Sequence, residues 1–195
     1  MTSTTDGIWP IVGPVRFGGE DVYVQLEVYT DELARRTTFP DTRPCSIETL
    51  NALFDIPAGA TVDLNDATLR PAVRYGLDQA PTWAVDRDGS IITRTYQPAA
   101  TVQWVLPIDP TAPWPNQLDS MQWFAPLART LCLVPDLAQS FAAIEAAWPL
   151  GVAVAVIDPS GAWHLVSEPD VARIQLHSAQ WDLAETAVDA LSHHS

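Results

Sequence analysis

Few residues in this chain have the type and spacing that catalysis or metal binding demands. Cys45 stands between Pro44 and Ser46 at the expected start of a helix, where the helix dipole would favour a reactive thiolate. Its base would be His164 or His177, but nothing in the spacing pairs either with it, and a buried, idle thiol is the simpler reading. Asp86-x-Asp88-Gly89 begins like a calcium loop; the later oxygen ligands and closing glutamate are missing, and a hairpin turn accounts for it. Glu168 and Asp170 flank Pro169 either as paired carboxylates or, more plainly, as a solvated turn. His164, between Trp163 and Leu165, reads as a structural histidine in a strand, and His193-His194 as part of a fraying terminus. There is no glycine-rich phosphate loop, Cys-x-x-Cys, His-x-His or His-Glu-x-x-His, and no lysine for a Schiff base. Neither a metal nor another cofactor is expected, and the chain reads as a non-enzyme.

Trp114 and Trp123 are more informative. They fall in a proline-rich stretch, 109–126, beside Asp109 and Asp119, whereas most other tryptophans fall in expected helices or strands. Aromatic anchors among carboxylates suit an interface offered to a basic protein. The alternative is that both rings fold back over a sheet. With Asp86 and Asp88 of the hairpin, these four make up the candidate partner-binding residues.

Charge supports the same class. The chain has 24 acidic residues against 10 basic ones, all arginine, for a net charge of −14. That balance repels nucleic acid and anionic lipid and steers a basic partner inward, although solubility alone would also be served by it. No apolar run is long enough to span a membrane, and the N-terminus lacks a charged-then-apolar leader, so the cytoplasm is the expected residence. Two distant cysteines, Cys45 and Cys132, suit free thiols in a reducing compartment.

The elements that would hold these residues follow from periodicity. After a polar start at 1–7 and a short edge strand near 14–17, Val22, Val24, Leu26 and Val28 alternate with polar or amphipathic residues as a half-buried strand. A helical turn through Arg36 and a loop at 38–44 follow. Ser46 then caps a helix carrying Ile47, Leu50, Leu53 and Phe54. The stretch 69–77 fits strand or helix. Strands at 83–85 and 91–96 flank the Asp-Gly hairpin, 102–108 is another strand, and 127–133 is read as helical. Asp136 opens a helix whose Leu137, Phe141, Ile144 and Trp148 share one face; if that face is core, Phe141→Ala costs about 3–5 kcal/mol. A continuous apolar strand at 152–157, a hairpin to 163–166, a segment through Leu176 and a terminal helix marked by Trp181, Ala184, Val188 and Leu191 complete the chain. Asp182, Glu185 and Asp189 are placed beside that last stripe.

Pro57, Gly59, Val62, Leu64 and Asp66 have counterparts at a constant offset in Pro149, Gly151, Val154, Val156 and Asp158. Helix, Pro-x-Gly turn, strand and Asp-led turn therefore recur, which implies an internal duplication. This order resembles the SseB-like domain family, through the strand at 22–30, the helix at 46–54 and Pro57-Ala58-Gly59 leading to Leu64-Asn65-Asp66. The second copy, Ile157-Asp158-Pro159-Ser160-Gly161, is nearer the family's turn. The resemblance implies an α+β fold and a protein-interaction role, without catalytic residues.

The expected fold is thus α+β: two related units, 8–97 and 98–195, each a small, mostly antiparallel sheet with packed helices, forming one compact body. The expected function is that of an acidic protein that docks a basic partner, best an immunity protein or antitoxin blocking a toxin. A secretion-associated chaperone or adaptor, a Cys45-dependent enzyme, and a phage or assembly component are the alternatives.

Overall fold

The computed structural model describes residues 10–40, 45–170 and 177–193. The expectations for 1–7, 41–44, the stretch after Asp170 and His194 lie outside these residues, as do the side chains of His177 and His193. In chain order the strands are β1 (Ile11–Phe17), β2 (Glu20–Val28), β3 (Thr61–Asp63), β4 (Val85–Asp88), β5 (Ile91–Arg94), β6 (Ala100–Pro107), β7 (Leu131–Val134), β8 (Ala153–Ile157) and β9 (Trp163–Ser167). The helices are α1 (Thr30–Arg36), α2 (Ile47–Phe54), α3 (Pro71–Asp78), α4 (Trp114–Met121), α5 (Leu137–Ala147) and α6 (His177–His193). The class is α+β, as expected. The boundaries are not those expected: one unit draws on Met1–Glu27, Val102–Leu176 and Ala190–Ser195, the other on Val28–Thr101 and His177–Asp189. The chain thus crosses between units several times instead of once near residue 97.

The first unit holds two small sheets, ordered β1-β2-β6 and β7-β8-β9. In β2 the alternation is as read, with Val22, Val24 and Leu26 fully buried and Tyr23, Gln25 and Glu27 half-buried. An isolated parallel bridge from Val105 to Thr130 sets β6 beside the start of β7. The stretch 127–133, expected to be helical, supplies β7 instead. All four β7 residues are buried, and so short an apolar run looks the same by periodicity in a buried strand or helix. β7 and β8 are parallel, with α5 as their crossover, so the unit is less antiparallel than expected; β8 and β9 form the expected hairpin. Trp104, Leu106, Leu131, Leu133, Ala153 and Ala155 pack into one core cluster.

Helix α5 starts as predicted, with the Asp136 carboxylate accepting the Gln139 N–H. Its apolar stripe does not enter the core. Ser140, Ala143 and Ala147 are buried, whereas Phe141 is 78% exposed, Leu137 63% and Trp148 53%. Each helical residue turns about 100°, so burying the small stripe swings the large one sideways into solvent. The small residues let the helix lie close to β7 and β8. The large stability cost expected for Phe141→Ala therefore does not apply.

The second unit packs α1, α2, α3 and most of α6 with a sheet ordered β3-β5-β4. Ser46 caps α2 by accepting the Thr49 N–H at 3.2 Å. The ambiguous stretch at 69–77 becomes α3, started by Pro71. Gly76 sits where α3 meets α2: a Cβ there would lie 2.5 Å from the Glu48 carbonyl oxygen and 2.6 Å from Ala52 Cβ. Gly76→Ala, which helix propensity alone would favour, should instead destabilise by about 1–3 kcal/mol through overpacking. Thermal unfolding measures it, and a raised Tm would contradict the close approach.

The repeated segments share local geometry. Gly59 and Gly151 both adopt φ +73°. Asp66 and Asp158 each accept the backbone N–H and hydroxyl of the residue two positions on. Their sheets differ: β3 is a three-residue edge strand paired only with β5, whereas β8 is central and buried.

Candidate functional site

In the first unit the proline-rich stretch folds into α4 and the turns around it. Pro113 and Pro115 suit the first turn of a helix, where missing N–H groups are not needed. Gln117 anchors the helix to β7. Its side chain accepts the Leu133 N–H at 2.8 Å and donates to the Leu133 carbonyl at 3.0 Å and the Ala112 carbonyl at 2.7 Å. A glutamine amide here does what a neighbouring strand would do for β7. Leu118 and Met121 are buried below it. Asp119 points to solvent, and Trp114 is half-buried, its carbonyl 3.7 Å from the Cys132 thiol. Asp109 accepts the Thr111 hydroxyl and N–H, which hold its carboxyl below the usual aspartate value.

Trp123 stands 72% exposed just past α4. It lines a hollow of about 360 Å³ with Phe17, Gly18, Glu20, Phe124 and Leu127. The Phe17 and Phe124 rings are 6.3 Å apart by centroid. A second hollow, about 260 Å³, includes Glu20, Asp21, Ile108, Asp109 and Gln117 in its wall. Glu20 borders both hollows, and the Ser120 hydroxyl donates to its carboxylate at 3.1 Å. Trp123 and Asp109 thus line two separate hollows that share Glu20 in their walls. Trp114 and Asp119 share the helix but line neither hollow. Asp86 and Asp88 belong to the other unit, at the exposed β4–β5 hairpin turned by Gly89. Phe17 and Glu20 escaped the sequence reading because only the β1–β2 turn brings them to α4.

The arginines do not offset this acidity. Arg16, Arg35, Arg36, Arg70, Arg87 and Arg129 lie in ion pairs with Asp21, Glu32, Glu32 and Glu185, Asp55, Asp78 and Glu168, respectively. Arg74 and Arg94 donate to backbone carbonyls of Asp66 and of Leu53 and Ile56. Glu20, Asp86, Asp88, Asp109, Asp119 and Glu145 form no ion pair with any described arginine.

The most concentrated ionic chemistry is buried in the second unit. Arg36 donates to both oxygens of Glu185 at 2.6 and 2.9 Å, to Glu32 at 2.9 Å and to the Gln97 carbonyl at 2.7 Å. Its guanidinium lies 3.8 Å above the Trp83 ring, and the Tyr96 hydroxyl donates to Glu185 at 2.8 Å. Glu185 was placed beside the α6 stripe from sequence, but it is 3% exposed. Standing four residues after Trp181 and three before Val188, it shares their face, and that spacing was the available signal. Burial alone would raise the Glu32 carboxyl; hydrogen bonds from Arg35 and Arg36 outweigh it and hold the group below the usual value. Fully partnered and closed to solvent, this cluster is structural.

The remaining candidates are dispersed. Cys45 is buried in an apolar cluster with Leu50, Leu53 and Tyr96. Burial pushes the Cys132 thiol up to about 12. His164 lies in β9, as read, and is exposed, 3.2 Å from Asp158, whose carboxyl is lowered to about 2 by the Ser160 hydroxyl and then by His164. Glu168 is held by two Arg129 bonds at 2.6 and 2.7 Å, and Asp170 is exposed. Among the described residues no three of His, Cys, Asp and Glu are grouped to hold a metal, and no helix is long and apolar enough to cross a membrane. Comparison of the chain with family models, characterised proteins and solved structures found no match.

Proposed function

We propose that this protein is a non-enzymatic, acidic docking protein that binds a basic protein partner, in the manner of an immunity protein or antitoxin. The observation that carries the reading is the hollow at Trp123. An exposed indole and two phenylalanines surround a space bordered by Glu20, on a unit whose carboxylates outnumber the arginines. A partner's arginine or lysine would set its charge against Glu20 and over the Trp123 face, while apolar neighbours fill the rest. Asp109 and Asp119 would add steering. The resemblance of its short motifs to those of the SseB-like family would imply the same class.

The test is capture of partners from native lysate on immobilised wild-type protein and on Trp123→Ser, at low and high salt. Retained proteins should be basic, should dissociate as salt rises, and should bind Trp123→Ser about tenfold or more weakly. Retention of neutral or acidic proteins, indifferent to salt and to Trp123, would contradict the proposal.

A further inference from the structure

We infer that the exposed face of α5 is a second docking surface, and that it takes a basic amphipathic helix presented by the partner protein. Leu137, Phe141 and Trp148 lie at i, i+4 and i+11, with Ile144 half-buried between them, and Leu150 continues the stripe in the 3-10 turn that follows. Contiguous large apolar side chains are rarely left to water without a use. Here they are kept off the sheet by a buried row of Ser140, Ala143 and Ala147, so no rotation of α5 hides them without bringing bulk against β7 and β8.

The charge around the stripe selects the occupant. Glu145 is exposed on the border of the face, one helical step beyond Ile144, and α5 contains no cation. With a chain charge of −14, a second copy would bring like charge to the contact, whereas a helix with leucines on one side and lysines or arginines flanking them would bring the opposite charge. Two helices packing side by side bury such a stripe through interlocking rows of side chains. The inference rests on the basic-partner reading above but names a different surface.

The probe is a synthetic leucine–lysine peptide of about 18 residues, about five helical turns, with leucine at helical spacing. A peptide of the same composition in scrambled order is its control. Phe141→Ser/Trp148→Ser leaves net charge unchanged and alters exposed side chains, and an unaltered Tm establishes that folding is kept. The double variant should bind the ordered peptide about tenfold or more weakly than wild type, close to the level of the scrambled peptide, while Tyr75→Ser, at an exposed aromatic of the other unit, changes affinity less than about twofold. Equal binding by the double variant and wild type overturns the inference. If Trp123→Ser alone then loses affinity, the basic-partner reading survives with the Trp123 hollow as its site; if wild type binds neither peptide at low salt, both readings fail. A wild-type dimer by sedimentation that becomes monomeric in the double variant would mean that a second copy covers the face, which also overturns the inference.

Discussion

Arg36→Met should cost about 3–5 kcal/mol of stability, because it leaves the buried Glu185 carboxylate without its cation. Methionine fills much of the same volume over Trp83, so the loss reports charge and hydrogen bonding more than packing. The double variant Arg36→Met/Glu185→Leu should recover most of that loss, since a buried pair replaced as a whole is often close to neutral. The pH dependence carries a sign. Glu32 is depressed in the folded protein, so its contribution is present above the ordinary glutamate range and is lost as pH falls through the folded value. Arg36→Met removes one of the two arginines that hold Glu32 low, so the penalty of the substitution shrinks on acidification. Denaturant unfolding of wild type and both variants between neutral and mildly acid pH measures this. A constant gap, or a single variant as stable as wild type, would show that the cluster does not hold α1 to α6.

Gln117→Leu should lose about 2–3 kcal/mol, since the buried N–H and carbonyl of Leu133 are left without their side-chain partner. The volume is conserved, so a cavity does not explain the loss. The effect reaches the candidate site: α4 is tied to β7 through this amide, and Trp123 and Asp109 stand at the two ends of the segment it anchors. Hydrogen exchange should therefore quicken across 109–124 in this variant more than in β8. Uniform protection in both segments would contradict the role given to Gln117.

Local features were legible because local chemistry decides them. Ser46 and Asp136 cap helices, Gly89 turns a hairpin, and Val22, Val24 and Leu26 alternate into the core, all as read. What failed depended on partners distant in sequence. The size of Phe141 and Trp148 argued for burial, but the space under α5 is set by β7 and β8, which admit only Ser140, Ala143 and Ala147. Glu185 looked like a surface charge until Arg36, far away in the chain, was placed opposite it. Of the six candidate residues, Trp123 and Asp109 line two different hollows, both bordered by Glu20, which the sequence did not mark. Trp114 and Asp119 stayed on the adjoining helix. Asp86 and Asp88, equally acidic and exposed, fell in the other unit because proximity there is a property of the fold, not of charge.

Chemical-shift mapping is the most direct test that the first unit carries a surface built for a basic partner. Isotope-labelled protein would be titrated with the ordered leucine–lysine peptide at low and high salt. The account predicts perturbations concentrated on Phe17, Glu20, Trp123 and Asp109 or on Leu137, Phe141, Glu145 and Trp148, collapsing as salt rises. Perturbations centred on the Asp86–Asp88 hairpin, or scattered evenly over every exposed carboxylate, would contradict it.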